Sequence, residues 1–172
     1  MNIRLLSTQD AAAYQRLRLR SLQESPTAFS SSYEDEAGRT LADITARVTP
    51  AADGSVCTFG AFADAELAGF VALIHPQRKK LRHGAELAGM YVAPEYRRRG
   101  YGHALLHALI AHARSLDGVQ QLKLGVNATN LAALQLYQSA GFALVGMEPD
   151  ALCVDDHYYD EALYMLRFTP TC

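Results

Sequence analysis

The sequence predicts an α/β fold, a central mixed and largely antiparallel twisted sheet flanked by helices, and two stretches carry that prediction. The first runs from Ala85 to Arg114. An apolar extended run (Ala85 to Val92), a turn marked by Ala93 and Pro94, a basic glycine loop (Arg97 to Gly102) and a periodic helix follow without a gap. In that helix Gly102, Leu105, Leu106, Leu109, Ile110 and Ala113 fall at i, i+3, i+4, i+7, i+8 and i+11, one continuous face that must pack on a sheet. The second stretch is Val56 to Ile74, where apolar runs on either side of Asp64 and Ala65 read as an antiparallel hairpin.

The remaining elements follow from local signals. Ile3 to Leu6 reads as a first strand that partners the hairpin. Ser7 or Thr8 caps a helix to about Gln23, with Asp10 at capping-box spacing and Pro26 as its stop. The polar segment SSSYEDE reads as a loop. Thr40 and Asp43 then cap a short helix, Leu41 to Val48, which Pro50 ends. Gln77 to His83 reads as an exposed basic turn. After the central helix come a strand (Gln121 to Val126), a helix (Asn130 to Ala140) closed by Gly141, and strands near Phe142 to Met147 and Ala162 to Phe168. No internal repeat or linker interrupts residues 1–172, which read as one domain.

Composition excludes several classes. The 172 residues suffice to bury roughly 70% of the surface the unfolded chain exposes. A mean hydropathy of -0.05, and no apolar run near the ~18 residues a membrane span needs, predict no membrane partner. The opening MNIRLLSTQD lacks a signal peptide's apolar core, so a cytoplasmic location is expected. Cys57, Cys153 and Cys172 have no C-x-x-C spacing and predict neither a disulfide framework nor a zinc site. His103 and His107 stand at i, i+4, but Ala104 occupies the position where a zinc-protease helix needs Glu, so no metal is expected. The net charge of -2 gives no footprint for nucleic acid.

The glycine loop has the chemistry of an anion site. A helix that starts there has first-turn N–H groups without intrahelical partners and the positive end of its dipole. Gly100 and Gly102 lack Cβ atoms, so the N–H groups of Arg98 to His103 can converge on a phosphate. A dinucleotide loop would need Gly where Leu105 stands, and a phosphate-binding G-K-[ST] run is absent.

These residues, in this order, resemble the GNAT superfamily of acetyl-coenzyme A dependent N-acetyltransferases. The loop Arg97-x-x-Gly100-x-Gly102, preceded by Tyr91-Val92-x-Pro94-Glu95, is similar to its pyrophosphate signature. Asn127, Asn130 and Ala133, then Leu136-Tyr137 and Gly141-Phe142, are similar to its N-x-x-A-x-x-L-Y-x-x-x-G-F segment, and the Tyr158-Tyr159-Asp160-Glu161 tail is similar to small members.

The resemblance implies acetyl-CoA as cofactor, in a cleft between splayed central strands. Arg97, Arg98, Arg99, Gly100, Tyr101, Gly102 and His103 would hold its pyrophosphate. Met90, Tyr91 and Val92 would line its pantetheine arm, with a backbone N–H near Met90 or Tyr91 polarising the thioester carbonyl. Asn130 would bind pantetheine, cap its helix, or do both. A lysine-like acceptor is neutral in only about one molecule in 2,500 at pH 7, so a base is needed. Glu86, fourteen residues before Gly100, has the spacing of the strand glutamate that histone-acetylating members use as general base; a solvated surface carboxylate is its plain alternative. Alternation places Glu86, Ala88, Met90 and Val92 on one strand face unless Gly89 marks a bulge. Tyr137 stands where members carry the acid that protonates the leaving thiolate, or else is a core aromatic. Tyr33, His157, Tyr158 and Tyr159 are candidates for an acceptor pocket.

The function implied is acetyl transfer to a primary amine, of a small molecule or of a protein, by direct attack in a ternary complex. Non-catalytic acyl-CoA sensing is the main rival. RNA binding through Arg97 to Arg99 is a third class, without an aromatic platform to support it. Members are often dimers, which leaves a homodimer open.

Overall fold

The computed structural model describes residues 1–168. Its elements start where the capping signals stand. After β1 (Asn2–Leu5), the Asp10 carboxylate accepts the Ser7 backbone N–H at 2.8 Å, and a 3-10 turn leads into α1 (Ala11–Glu24). The SSSYEDE segment, expected as a loop, contains a short helix, α2 (Tyr33–Ala37). Its signal is a Ser32–Asp35 capping box hidden in the serine run, and the wholly buried Glu36 anchors it. Thr40 caps α3 (Leu41–Val48) as expected.

β2 (Val56–Ala63) and β3 (Glu66–Ile74) form the hairpin, with β1 on the outer side of β2. β4 (Gly84–Val92), α4 (Tyr101–Ser115), β5 (Gln121–Asn127) and α5 (Leu131–Ser139) follow. The last two strands, β6 (Ala143–Val154) and β7 (His157–Arg167), run well beyond the expected spans and meet at a turn through Asp155 and Asp156, both at positive φ. Their added halves are mostly exposed and polar, so no apolar alternation announces them. The ladder also shifts register between Glu148 and Leu152, around Asp150, whose N–H donates to the Asp160 carboxylate at 3.0 Å.

The sheet order is β1-β2-β3-β4-β5-β7-β6, and among the described residues β4–β5 is its one parallel pair. α4 and α5 cover one face. Leu105, Leu106 and Leu109 are fully buried there, each contributing about 1.5–3 kcal/mol, as the helical periodicity requires. α1 and α3 cover the other face, packing Tyr14, Leu17, Ile44 and Val48 around Phe70 and Tyr91.

Two departures from a regular sheet create the site. β4 and β5 pair only at Gly84–Gln121, Ala85–Leu122 and Glu86–Lys123, after which β4 stays with β3 and β5 with β7. Gly89, at φ +59, is the extra residue of a bulge against Val71 and Ala72. The bulge inverts the alternation. Ala85 and Leu87 pack with α4 before it, whereas Met90 and Val92 do so after it, and Tyr91 turns to the α1 side. Glu86 therefore does not share a face with Met90 and Val92.

Candidate active site

The start of α4 leaves backbone donors unpaired. Gly100 is its N-cap residue at φ +84, Arg98 stands at φ +57, and no side chain caps the helix. α2, α3 and α5, by contrast, are capped by Ser32, Thr40 and Asn130. First-turn N–H groups of Tyr101, Gly102 and His103 are thus left for a ligand. Among the described residues, none beyond its chain neighbours and its own helix backbone comes within 4 Å of a Cβ built on Gly100, so the glycine answers to backbone conformation and to access, not to packing. Arg97, Arg98 and Arg99 are exposed around it. Arg97 Nε also donates to the Val92 carbonyl at 2.9 Å, tying the loop to the end of β4.

Several residues expected to line the cofactor have distinct placements. The Tyr101 side chain is buried and packs against Tyr96 at 5.5 Å, so only its backbone faces the anion site. Tyr91 donates its hydroxyl to Glu24 and stacks near Phe70, which also leaves its backbone for the β4 edge. Asn130 accepts the Ala133 N–H at 3.2 Å and is engaged as a cap. Asn127 is buried and joins β5 to the segment after α1, donating to the Thr27 carbonyl at 3.2 Å.

Tyr137 lies on α5 beneath the α4 face, 6% exposed, with its hydroxyl 3.8 Å from the Met90 sulfur. Burial pushes its pKa well above that of a free phenol, so the hydroxyl keeps its proton throughout the neutral range.

On the opposite face, a cleft of about 440 Å³ runs under the gap between β4 and β5, a size within the range for small ligands. Arg18, Arg47, Glu86, Gly89, Gly125 and Glu161 line it. Glu161 is the residue the sequence reading left without a role. Its carboxylate, on β7, occupies the space where a Cβ on Gly125 would stand, and burial, then the charges of Glu148 and Glu86, raise its pKa. The one local signal was a glycine between Leu124 and Val126. From α1, Arg18 Nη2 donates to Glu36 at 3.1 Å, and from α3 Arg47 Nη1 does so at 2.6 Å. Tyr33 lines an adjoining cavity of about 490 Å³ beside Leu152 to Asp155, which shares Phe29, Ser30, Ser31 and Leu152 with the first. His157 and Tyr158 are exposed on the β6–β7 hairpin.

An uncapped glycine helix start, a gap between parallel strands and a buried tyrosine hydroxyl beside it have the geometry of an acyl-carrier transferase site. The chain belongs to the acetyltransferase (GNAT) family, whose model matches residues 18–142. The family uses acetyl-CoA, and the uncapped α4 start with its open glycine cradle fits that cofactor. Fifty-eight residues are 47% identical to the [ribosomal protein bS18]-alanine N-acetyltransferase of Escherichia coli, which is 34% of this chain and 38% of that protein. An acetyltransferase of the GNAT family from Streptococcus pneumoniae superposes with a TM-score of 0.85 at 26% identity, over 97% of this chain and 99% of that one. A Salmonella typhimurium protein described as an acetyltransferase, solved with its cofactor acetyl-CoA, shares the fold at a TM-score of 0.82 and 21% identity, over 100% and 96% of the chains. No helix among the described residues is long and apolar enough to cross a membrane.

Proposed function

We propose that the protein transfers the acetyl group of acetyl-CoA to a primary amine by direct attack in a ternary complex. One observation carries this reading. The Gly89 bulge and the β4–β5 splay put Glu86 on one side of a gap and the Met90–Tyr137 pair on the other. A donor held on the α4 side and an acceptor entering from the α1 side meet there.

The N–H groups at the start of α4 bind the pyrophosphate, and Arg97, Arg98 and Arg99 screen its charge. Backbone N–H groups near Met90 and Tyr91 polarise the carbonyl under attack. When bound, acetyl-CoA supplies an activated thioester, whose C–S bond is exchanged for a C–N bond on the acceptor. Glu86, with Glu161 across the gap, accepts the proton that the acceptor ammonium must lose. Tyr137 Oη carries the proton required by the leaving sulfur. No side chain need form a covalent intermediate.

An α-amino acceptor has support from the Escherichia coli relative, whose name specifies the alanine of a ribosomal protein; a polypeptide N-terminus and a free amino acid both present such an amine. With a pKa near 7.7–8.0, an α-amine also demands less of the base than a lysine does. The test is thiol release from acetyl-CoA across a panel of amines. Turnover with one class of amine is expected; saturable acetyl-CoA binding with no thiol release on any amine would identify a sensor instead.

A further inference from the structure

Three guanidinium groups converge on one carboxylate behind the acceptor-side cleft, which two of them, Arg18 and Arg47, line. Glu36 is fully buried, and Arg18 (3.1 Å), Arg47 (2.6 Å) and Arg39 (3.5 Å) all reach it. Burial pushes the Glu36 carboxyl up, but the Arg47 hydrogen bond and the two nearest cations outweigh that and hold it below its ordinary value, so it is ionised. Three positive charges against one negative leave a surplus. Arg39 and Arg47 share theirs with solvent, at 45% and 37% side-chain exposure, whereas the Arg18 side chain is only 6% exposed.

Arg18 is also incompletely satisfied. Its Nη2 is spent on Glu36, its guanidinium lies 4.5 Å over the Phe29 ring, and its buried Nε finds no partner among the described residues. A buried, half-satisfied cation is costly unless an anion completes it. Its Nη1 stands 3.8 Å from the position a Cβ on Gly89 would take, at the bulge where β4 leaves β5. The cleft thus carries both signs of charge, Arg18 and Arg47 from α1 and α3 and Glu86 and Glu161 from β4 and β7.

We propose that the acceptor carries a free carboxylate close to its amine, a free α-amino acid being the simplest case. Arg18, supported by Arg47, holds the carboxylate while Glu86 and Glu161 face the amine. This rests on the acetyl-transfer reading above and names its acceptor class. Polyamines and aminoglycosides would bring cations against Arg18. A polypeptide N-terminus would offer a neutral amide where the carboxylate belongs, and a fork of guanidinium donors prefers the charged, bidentate partner.

The experiment uses the full chain with acetyl-CoA and scores thiol release. Each of several α-amino acids is matched with its carboxamide, with the amine lacking the carboxyl group, and with a dipeptide bearing the same first residue. The acids are expected to exceed their carboxamides in kcat/KM by about 30-fold or more, mainly through KM. Arg18→Lys, with its thermal midpoint measured in parallel, should shrink that ratio to a few-fold. If Arg18→Lys does not fold, Arg47→Gln and the wild-type ratio decide. Carboxamides or dipeptides acetylated as well as the acids would overturn the carboxylate site and leave acetyl transfer standing. A folded Arg18→Lys protein with the full acid preference would remove Arg18 from the role. Absence of amine-dependent thiol release with every compound in the panel would defeat both readings.

Discussion

The carboxylate of Glu161 on β7 fills the space that any side chain at Gly125 on β5 would need. A carboxyl is thereby delivered into the cleft from the neighbouring strand, opposite Glu86. Gly125→Ala is expected to displace it. The obstructing atoms are the far end of a flexible side chain, so stability should fall by only about 1 kcal/mol or less, while turnover falls about 10-fold or more. Thermal melts and steady-state rates separate the two effects; unchanged turnover in a folded variant would deny Glu161 its part.

The same carboxyl sets a pH dependence of stability. Burial, then the charges of Glu148 and Glu86, hold its folded pKa above the ordinary value. A carboxyl raised on folding stabilises the fold below its unfolded pKa of about 4.3, and that contribution is lost as pH rises through the folded value. Glu161→Gln should therefore melt above wild type near about pH 7.5 and level with it near about pH 4. Melting scans across that range provide the check.

Glu86→Gln should lower turnover most at low pH, where the acceptor amine is protonated, and least at high pH, where the amine arrives neutral. The measurement is kcat/KM against pH for both proteins. Parallel profiles would mean that Glu86 is a solvated cleft residue.

Tyr137→Phe removes one hydroxyl whose neighbour is the Met90 sulfur. The fold should survive with a loss of about 1 kcal/mol or less, while turnover falls by about 10- to 10,000-fold. Burial raises the phenol pKa, so wild-type activity should show no alkaline loss from this group up to about pH 10. Rates of the variant at wild-type level would reassign Tyr137 to the core.

Gly100→Ala forces a side chain to φ +84 without a collision from elsewhere in the fold, since no more distant described residue lies within 4 Å of its Cβ. Backbone strain of about 1–2 kcal/mol is expected, together with weaker acetyl-CoA binding by titration calorimetry. Binding at wild-type affinity would show that the α4 start is only a turn.

The α4 face, the glycine start of that helix, the caps at Ser7 and Thr40 and the β2–β3 hairpin were all legible in the sequence. Each is written within a few residues, by periodicity or by a side chain that reaches its own backbone. Gly89 announced a bulge, but only strand pairing decided its effect, which was to turn Met90 and Glu86 to opposite faces. Glu161 entering the space beside Gly125 left only that glycine as a local trace, and Arg18 and Arg47 meeting on Glu36 left none. Those contacts join residues far apart in the chain, and strand register and helix docking bring them together. The sequence by itself therefore determined the family fold and the uncapped glycine start of α4, while the tertiary structure decided which charges face the cleft, because a cleft's electrostatics belong to side chains from separate elements.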